Sequence, residues 1–205
     1  KTLMPPSLWG YNGNLEAYEF NPEKSRQLLT EAGYPNGFKT TLWVMNASRE
    51  YLPKPIETAK FIKESLGQVN IDVEIRVFNW DEYLTRIQNG EHEIALIGWT
   101  GDYADPDNFL YTMLASENAK QGLAGNYSFY RSREADQLLA QARQTTNLVF
   151  RRSLYSRLQE MVNYDAPSVP LVHTTPVLAA RLSVKGYTPH MTGVESLEQV
   201  SLDLE

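Results

Sequence analysis

Hydrophobic and polar positions follow two different periods along the first half of the chain. In residues 38–45, Leu42 and Val44 alternate with Thr41 and Trp43, and residues 71–78 alternate apolar with other side chains strictly. Both patterns predict β-strands. Apolar side chains in residues 56–68 instead recur near the helical period, and residues 81–90 form a shorter helical pattern. Residues 93–99, with the sequence EIALIGW, are a continuous apolar run suited to a buried strand. The predicted order in this region is strand, helix, strand, helix, strand.

A further helix is predicted before this region, in residues 21–37. Asn21 is in the N-cap position and Pro22 follows it at the first helical position, a combination typical of helix starts. We expect Leu28 and Leu29 to lie on the inner face of this helix.

Two more helices and two weaker strand patterns are predicted in the second half. Residues 133–144 and 148–165 are amphipathic, and we expect both helices to cover the sheet. Residues 167–173 are apolar but are interrupted by prolines, which indicates an edge strand or the start of a strand. Residues 197–205 alternate like a further strand.

This alternation of strands and helices predicts an α/β fold with a mixed, mostly parallel sheet and flanking helices. The carboxyl ends of the strands in such a sheet lie along one edge, where ligands bind. The residues that follow the three predicted strands at that edge are Ser48, Arg49 and Glu50, then Asn79 and Trp80, then Trp99, Thr100, Gly101 and Asp102. A cation, an anion and two tryptophans converge there, so we predict a binding site in which Trp80 and Trp99 form a wall.

Composition excludes several classes of protein. With 42% hydrophobic and 21% charged residues in 205, the chain has the composition of an ordinary globular protein. Its net charge of −6 and scattered basic residues give no surface for nucleic acid. The absence of cysteine excludes a disulfide framework, a thiolate metal site and a cysteine nucleophile. Lys1 replaces an initiator methionine, which indicates a processed chain or a fragment.

The stretch GWTGDYADPDNFL in residues 98–110 contains three carboxylates just past a predicted buried strand. Their spacing does not match a calcium-binding loop, so no metal site is predicted. Asp105, Asp107 and Asn108 are interpreted as turn and helix-cap residues, whereas Asp102, directly after the strand, is interpreted as functional.

Nothing in the sequence indicates catalysis. The chain has no GxSxG, HExxH, Walker or GxGxxG motif, and its only histidines are His92, His173 and His190. His92 is expected at the surface, and His173 is expected to be a hydrogen-bonded core or rim residue. No cofactor is predicted, and a stand-alone α/β hydrolase stays open as an alternative.

Four segments together resemble a known family. The segments GWTGDYADPDNFL, NYSFYRSREADQLLAQAR, NPEKSRQLLTEAGYPNGF and RRSLYSRLQEMVNYDAPSVPLVH are similar to the carboxy-terminal lobe of the dipeptide- and oligopeptide-binding proteins of ABC importers, the family 5 solute-binding proteins. The resemblance covers essentially the whole chain. It implies a type II periplasmic-binding-protein-like lobe, with residues 1–205 as the second lobe of a two-lobe receptor and residues 175–205 crossing back toward the first.

The resemblance also implies roles for the candidate site. Asp102 matches the aspartate that pairs with a peptide's α-ammonium, and Trp99, Thr100 and Gly101 match the stretch that hydrogen-bonds the peptide main chain. Arg49 stands where the dipeptide-binding branch has an arginine for the ligand carboxylate, although SREYLPKP around it departs from that branch's pattern.

A substrate-binding component of an ABC importer is therefore expected, acting as a monomer in the periplasm or elsewhere outside the cytoplasmic membrane. Its expected partners are a di- or oligopeptide and the membrane permease subunits, and a lipid anchor on the full-length parent is left open. The family also includes receptors for nickel complexes, haem, opines and sugars, so a non-peptide solute is the main alternative.

Overall fold

The computed structural model describes residues 1–175, 177–190 and 196–203 of the chain. Its helices and strands, in chain order, are α1 (Pro22–Glu31), β1 (Phe38–Met45), α2 (Pro55–Gly67), β2 (Ile71–Phe78), α3 (Trp80–Gln88), β3 (Ile94–Ala95), α4 (Pro106–Leu114), α5 (Arg133–Gln144), α6 (Leu148–Asp165), β4 (Val184–Lys185) and β5 (Ser201–Leu202). The predicted α/β fold with a parallel sheet and flanking helices is confirmed.

The main sheet has three parallel strands in the order β2-β1-β3, with β1 in the middle. β1 and β2 are paired over their whole length, from Phe38 opposite Ile71 to Met45 opposite Phe78. The last four residues of β1 are all buried, because a central strand with both faces covered has no solvent-facing side. All three strands run the same way, so their carboxyl ends share one edge.

The third strand is much shorter than the predicted 93–99. Only Ile94 and Ala95 are paired as a strand with β1, and one further bond runs from the Leu96 backbone nitrogen to the Trp43 carbonyl oxygen at 3.1 Å. The Leu96 carbonyl oxygen instead accepts a hydrogen bond from the Tyr83 hydroxyl at 2.7 Å. A side chain therefore satisfies the backbone at the point where the strand was expected to continue, and the chain leaves the sheet.

Two hydrophobic cores hold the fold together. The sheet core lies between the strands, α2 and α3, and its fully buried members include Leu42, Tyr83 and Ile87. The helical core lies between α4, α5, α6 and the amino-terminal segment, and includes Leu139 and Leu158. The expectation that the last two helices cover the sheet was wrong. Their predicted apolar stripes do turn inward, but they face each other and α4, because two amphipathic helices can satisfy one another.

The first helix has the predicted cap but only part of the predicted packing. The Asn21 side chain accepts a hydrogen bond from the Lys24 backbone nitrogen at 2.9 Å, so the cap is confirmed. Leu29 packs against the sheet core, whereas Leu28 is 51% exposed. Leu28 was wrongly predicted to face inward. Adjacent side chains on a helix point in different directions, so only one of the two leucines faces the core.

The end of the chain is only loosely packed. Residues 167–173 form no strand, so the predicted edge strand is wrong there, and Val169 and Val172 are exposed. Of the predicted strand in residues 197–205, only Ser201 and Leu202 are paired as β5, which forms an antiparallel ribbon with β4. Positions 176, 191–195 and 204–205 of the predicted crossing segment lie outside the described residues. None of the described helices is long and apolar enough to span a membrane.

His92, expected at the surface, is half-buried in the structure. Its Nε2 donates a hydrogen bond to the Tyr127 carbonyl oxygen at 3.0 Å, and its ring lies near Trp43 and Phe129. Nδ1 is buried and finds no hydrogen-bond partner in the described part of the chain. The loop before α5 folds back over this turn, which the local sequence does not reveal. Burial lowers the pKa of His92.

Replacing Leu42 by alanine should destabilise the protein far more than replacing Leu28. Leu42 is fully buried in the sheet core, so Leu42→Ala should lower the free energy of unfolding by about 2 to 5 kcal/mol. Leu28→Ala, the matched control on an exposed position, should change it by less than about 0.5 kcal/mol. Urea denaturation checks both values, and equal losses would contradict this packing of α1.

Acidification should destabilise the protein through His92. Its pKa is lower in the folded state than the ordinary value of about 6.5, so the unfolded chain binds the proton more readily and stability falls as the pH drops through about 6.5. Urea midpoints should decline between about pH 7.5 and about pH 5.5, and His92→Asn should remove part of that decline. A His92 variant with the wild-type pH dependence would refute the prediction.

Candidate functional site

The predicted site lies where the chain passes from one core to the other. Leu96 is buried in the sheet core, and three residues later Trp99 packs against the helical core. Residues 97–101 belong to no strand, and no hydrogen bond within the described chain involves a backbone group of Thr100 or Gly101. This crossing loop, residues 97–102, therefore has to be held by side chains.

A single buried amide holds the crossing loop. Asn108, only 3% exposed in the first turns of α4, accepts hydrogen bonds through Oδ1 from Trp99 Nε1 at 2.8 Å and from the Asp102 backbone nitrogen at 3.2 Å. Its Nδ2 donates to Asp102 Oδ2 at 3.3 Å. Two of these three bonds involve Asp102, so Asn108 fixes both the backbone and the carboxylate of that residue.

The carboxylate of Asp102 is exposed and carries no ion pair with any described residue. An exposed carboxylate on a fixed backbone can receive a cationic group without first losing another partner.

Asp105, three residues later, has the opposite environment. It caps α4 by accepting a hydrogen bond from the Asp107 backbone nitrogen at 3.0 Å, which confirms the cap interpretation. Its carboxylate also forms a two-bond ion pair with Arg151 of α6, at 2.8 and 3.0 Å. Arg151 further donates from Nε to the Ala142 carbonyl oxygen of α5 at 2.9 Å. These contacts fix the start of α4, and with it Asn108, to the helical core.

Asp107 and Asn108 were both interpreted as cap or turn residues, and they differ. Asp107 lies 3.7 Å from Arg143, and burial raises the pKa of its carboxyl group. Asn108 faces the crossing loop rather than the cap of its own helix. No group of three or more metal-ligating side chains occurs among the residues described.

Arg49 and Trp80, predicted from two different strand ends, are brought together. The Arg49 guanidinium carbon lies 3.5 Å from the centre of the Trp80 ring, a stacking distance. Arg49 Nε is buried and has no hydrogen-bond partner within the described chain. Bonds between Arg49 and Leu52 backbones, at 2.9 and 3.2 Å, close the turn that presents the side chain. The Arg49 guanidinium is therefore oriented by Trp80, and its Nε donor is not used by any described residue.

Tyr51 links this cation to the crossing loop. A Cβ atom on Gly98 would lie 2.4 Å from Tyr51 Cδ2, so the ring packs directly on the glycine backbone. Burial raises the pKa of the Tyr51 hydroxyl, and the nearby Arg49 charge acts in the opposite direction. The loop after β1 and the loop after β3 are therefore in contact, as a shared sheet edge requires.

The sequence missed Asn108 and Tyr51. Asn108 was assigned to a cap because an amide just after an Asp-Pro pair is typical of helix starts. Tyr51 had no distinguishing signal beyond its position two residues after Arg49. The glycine at position 98 offered the one hint, since a glycine in an apolar run indicates close approach of another group.

Comparison with known proteins gives a consistent result. Residues 1–121 match the model of the bacterial extracellular solute-binding proteins, family 5 middle. The chain is 36% identical over 203 residues to the dipeptide-binding protein of Escherichia coli K12, and 35% identical over 203 residues to heme-binding protein A of Haemophilus influenzae. Each alignment covers 99% of this chain, but only 38% and 37% of those proteins.

A solved structure shows the same fold. It is the ABC transporter-associated periplasmic binding protein DppA from Helicobacter pylori in complex with the peptide STSA. The TM-score is 0.85 at 41% identity, over 98% of this chain and 38% of that chain. The described fold therefore spans about two fifths of the proteins that it resembles.

Adding a methyl group at Gly101 should disturb the crossing loop. A Cβ atom there would lie 2.8 Å from Phe109 Cε2 and 3.0 Å from Cζ, so Gly101→Ala should lower the free energy of unfolding by about 1 to 3 kcal/mol. Gly67→Ala, at the end of α2 with nothing within 4 Å, is the control and should be neutral or stabilising by up to about 1 kcal/mol. Urea denaturation measures the free energy of unfolding of both variants. Equal changes in the two would contradict the close packing of Phe109 on Gly101.

Proposed function

The chain belongs to the bacterial extracellular solute-binding proteins of family 5, and we propose that it is one lobe of the substrate-binding component of an ABC importer that binds di- or oligopeptides. The observation that carries this proposal is the crossing loop. It presents an exposed carboxylate without an ion-pair partner beside backbone groups that make no hydrogen bond within the described chain.

In this proposal Asp102 binds the α-ammonium of the peptide. A peptide bound in a closed cleft has to keep both of its charges paired, because an unpaired charge removed from water costs several kcal/mol. Asp102 is held by Asn108 and forms no ion pair with any described residue, so it can take that role.

The backbone of Trp99, Thr100 and Gly101 binds the main chain of the peptide. Addition of an extended peptide to unpaired backbone groups gives affinity that does not depend on the peptide's side chains. β3 lies at the edge of its sheet, and no described residue beyond Ala95 is paired with that sheet as part of a strand. Trp99 is fixed through its indole nitrogen, and it contributes to the wall of the site.

Arg49 and Trp80 form the other part of the site, with Arg49 receiving the carboxylate of the peptide. A guanidinium offers several donors in a plane and suits a carboxylate. Stacking on Trp80 fixes the plane of Arg49, and its Nε lacks a partner within the described chain.

The whole chain, residues 1–205, acts as a single lobe, with residues 175–205 leading back toward a first lobe. Five large apolar side chains in the described part of this segment are more than half exposed, and two of them, Val177 at 94% and Leu182 at 93%, are almost fully exposed. Apolar side chains at this density are usually covered by a partner surface. The remainder of the parent protein is the proposed cover.

The functional context is import from outside the cytoplasmic membrane. The parent protein would act as a monomer in the periplasm or at the outer face of the membrane, deliver its solute to permease subunits and carry out no catalysis. Family 5 consists of solute-binding proteins, which favours a binding role over an α/β hydrolase.

A second candidate solute is haem, because one similar protein is named heme-binding protein A. Titration calorimetry of the full-length parent protein against di- and tripeptides, haem, sugars, opines and nickel chelates separates the two. Peptide binding alone supports the main proposal, and haem binding without peptide binding contradicts it.

Removing the Asp102 carboxylate should weaken binding of peptides with a free amino terminus. In the full-length parent protein, Asp102→Ala should cost roughly 2 to 5 kcal/mol in affinity for Ala-Ala, because the ligand ammonium is left unpaired in a closed cleft. N-acetyl-Ala-Ala, which has no ammonium group, should lose much less. Titration calorimetry with both ligands measures the difference.

Asp102→Asn is the matched control, since it retains the shape and loses the charge. The difference between the Asn and Ala variants separates the ion pair from the hydrogen bond. Equal losses for free and acetylated peptide, or no loss for either, would make Asp102 a structural loop residue and remove the main support for a peptide ligand.

A further inference from the structure

We infer that Asn108 is a positioning residue for the ligand ammonium, acting through Asp102 without touching the ligand itself. This inference rests on the proposed function and adds a specific determinant of preference for free amino termini. The geometry that supports it is the set of three hydrogen bonds between one buried amide and the crossing loop.

The orientation of the Asn108 amide is dictated by its partners. Trp99 Nε1 and the Asp102 backbone nitrogen can only donate hydrogen bonds, so the atom that faces both of them has to be the carbonyl oxygen. The amide nitrogen is then left facing Asp102 Oδ2. The Asn108 side chain therefore accepts hydrogen bonds from two donors through its oxygen and donates one hydrogen bond through its nitrogen.

The amide nitrogen limits where the Asp102 carboxylate can point. Within the described chain, Asn108 Nδ2 is the one side-chain donor that bonds this carboxylate. A carboxylate that accepts one hydrogen bond from a neutral amide keeps its full negative charge. Its other oxygen also stays free to bind a ligand. An arginine or lysine in the same place would neutralise the charge and compete with the ligand ammonium.

The amide itself is rigidly mounted. Asn108 lies in the first turns of α4, whose N-cap Asp105 is bonded to Arg151, and its neighbour Phe109 is buried in the helical core. Water has little access to a side chain that is 3% exposed. Loss of the amide would free the carboxylate to rotate, and each bound ligand would then have to order it again.

The experiment is a double-mutant cycle in the full-length parent protein. Affinities for Ala-Ala and N-acetyl-Ala-Ala are measured by titration calorimetry for the wild type, Asn108→Ala, Asp102→Ala and the double variant. Asn108→Ala should lower the affinity for Ala-Ala by about tenfold or more beyond its effect on the affinity for the acetylated ligand. This is the loss expected when a hydrogen bond to a charged group is removed. In the Asp102→Ala background, Asn108→Ala should lower the affinities for both ligands by the same factor.

Asn126→Ala is the matched control. Asn126 is also a fully buried asparagine, and its amide bonds the carbonyl oxygens of Ala115 and Tyr130 instead of the crossing loop. Both asparagine variants should unfold at lower temperature, but Asn126→Ala should leave the ratio of the two affinities unchanged. If Asn108→Ala does not fold, Asn108→Leu, which is close to asparagine in size and has no hydrogen-bonding group in its side chain, gives the same comparison.

The outcomes separate the two levels of the argument. If Asp102→Ala lowers Ala-Ala affinity but Asn108→Ala affects free and acetylated ligands equally, Asn108 is a structural residue and this inference is overturned while the proposed function stands. If the wild type binds no di- or oligopeptide, or if Asp102→Ala does not weaken peptide binding, both are overturned. A selective loss that disappears in the Asp102→Ala background supports both.

Discussion

The candidate site depends on one constraint, which is that the chain has to leave the sheet and enter the helical core without strand partners. Backbone and indole groups in such a segment cost free energy if their hydrogen bonds are not replaced. Asn108 replaces two of them with a single oxygen atom and adds a bond to the Asp102 carboxylate. Tyr83 similarly satisfies the Leu96 carbonyl oxygen at the start of the same segment. The crossing loop is therefore ordered by side chains, and the backbone groups of Thr100 and Gly101 make no hydrogen bond within the described chain.

Charged side chains near the site are either paired within the fold or left without an ion-pair partner among the described residues. Asp105 is committed to the fold, because its two-bond pair with Arg151 and its cap of α4 use its oxygens. Asp102 and Arg49 have no ion-pair partner among the described residues. Arg49 is oriented by an aromatic ring instead of an anion. A pair of oriented but uncommitted charges is the arrangement that a receptor for a zwitterion requires.

The apolar surface of the last forty residues fits the same interpretation. The described part of this region buries little, and its two short strands pair only with each other. The relatives reported above are more than twice as long as this chain. The described fold thus has a well-packed part that supports the site and a poorly packed part with exposed apolar side chains.

The sequence by itself determined the local elements and the residues at the sheet edge. Hydrophobic period located the first two strands and four of the helices, and Asn21 and Asp105 were found as caps because capping depends on a few adjacent residues. Arg49, Trp80 and Asp102 were found because parallel strands end at a common edge. Only the tertiary structure decided that the strand after α3 is two residues long, and that α5 and α6 form their own core. It alone showed that His92 is covered and that Asn108 faces the loop. These features depend on which distant group arrives to satisfy a hydrogen bond or cover an apolar face, and no local pattern contains that information.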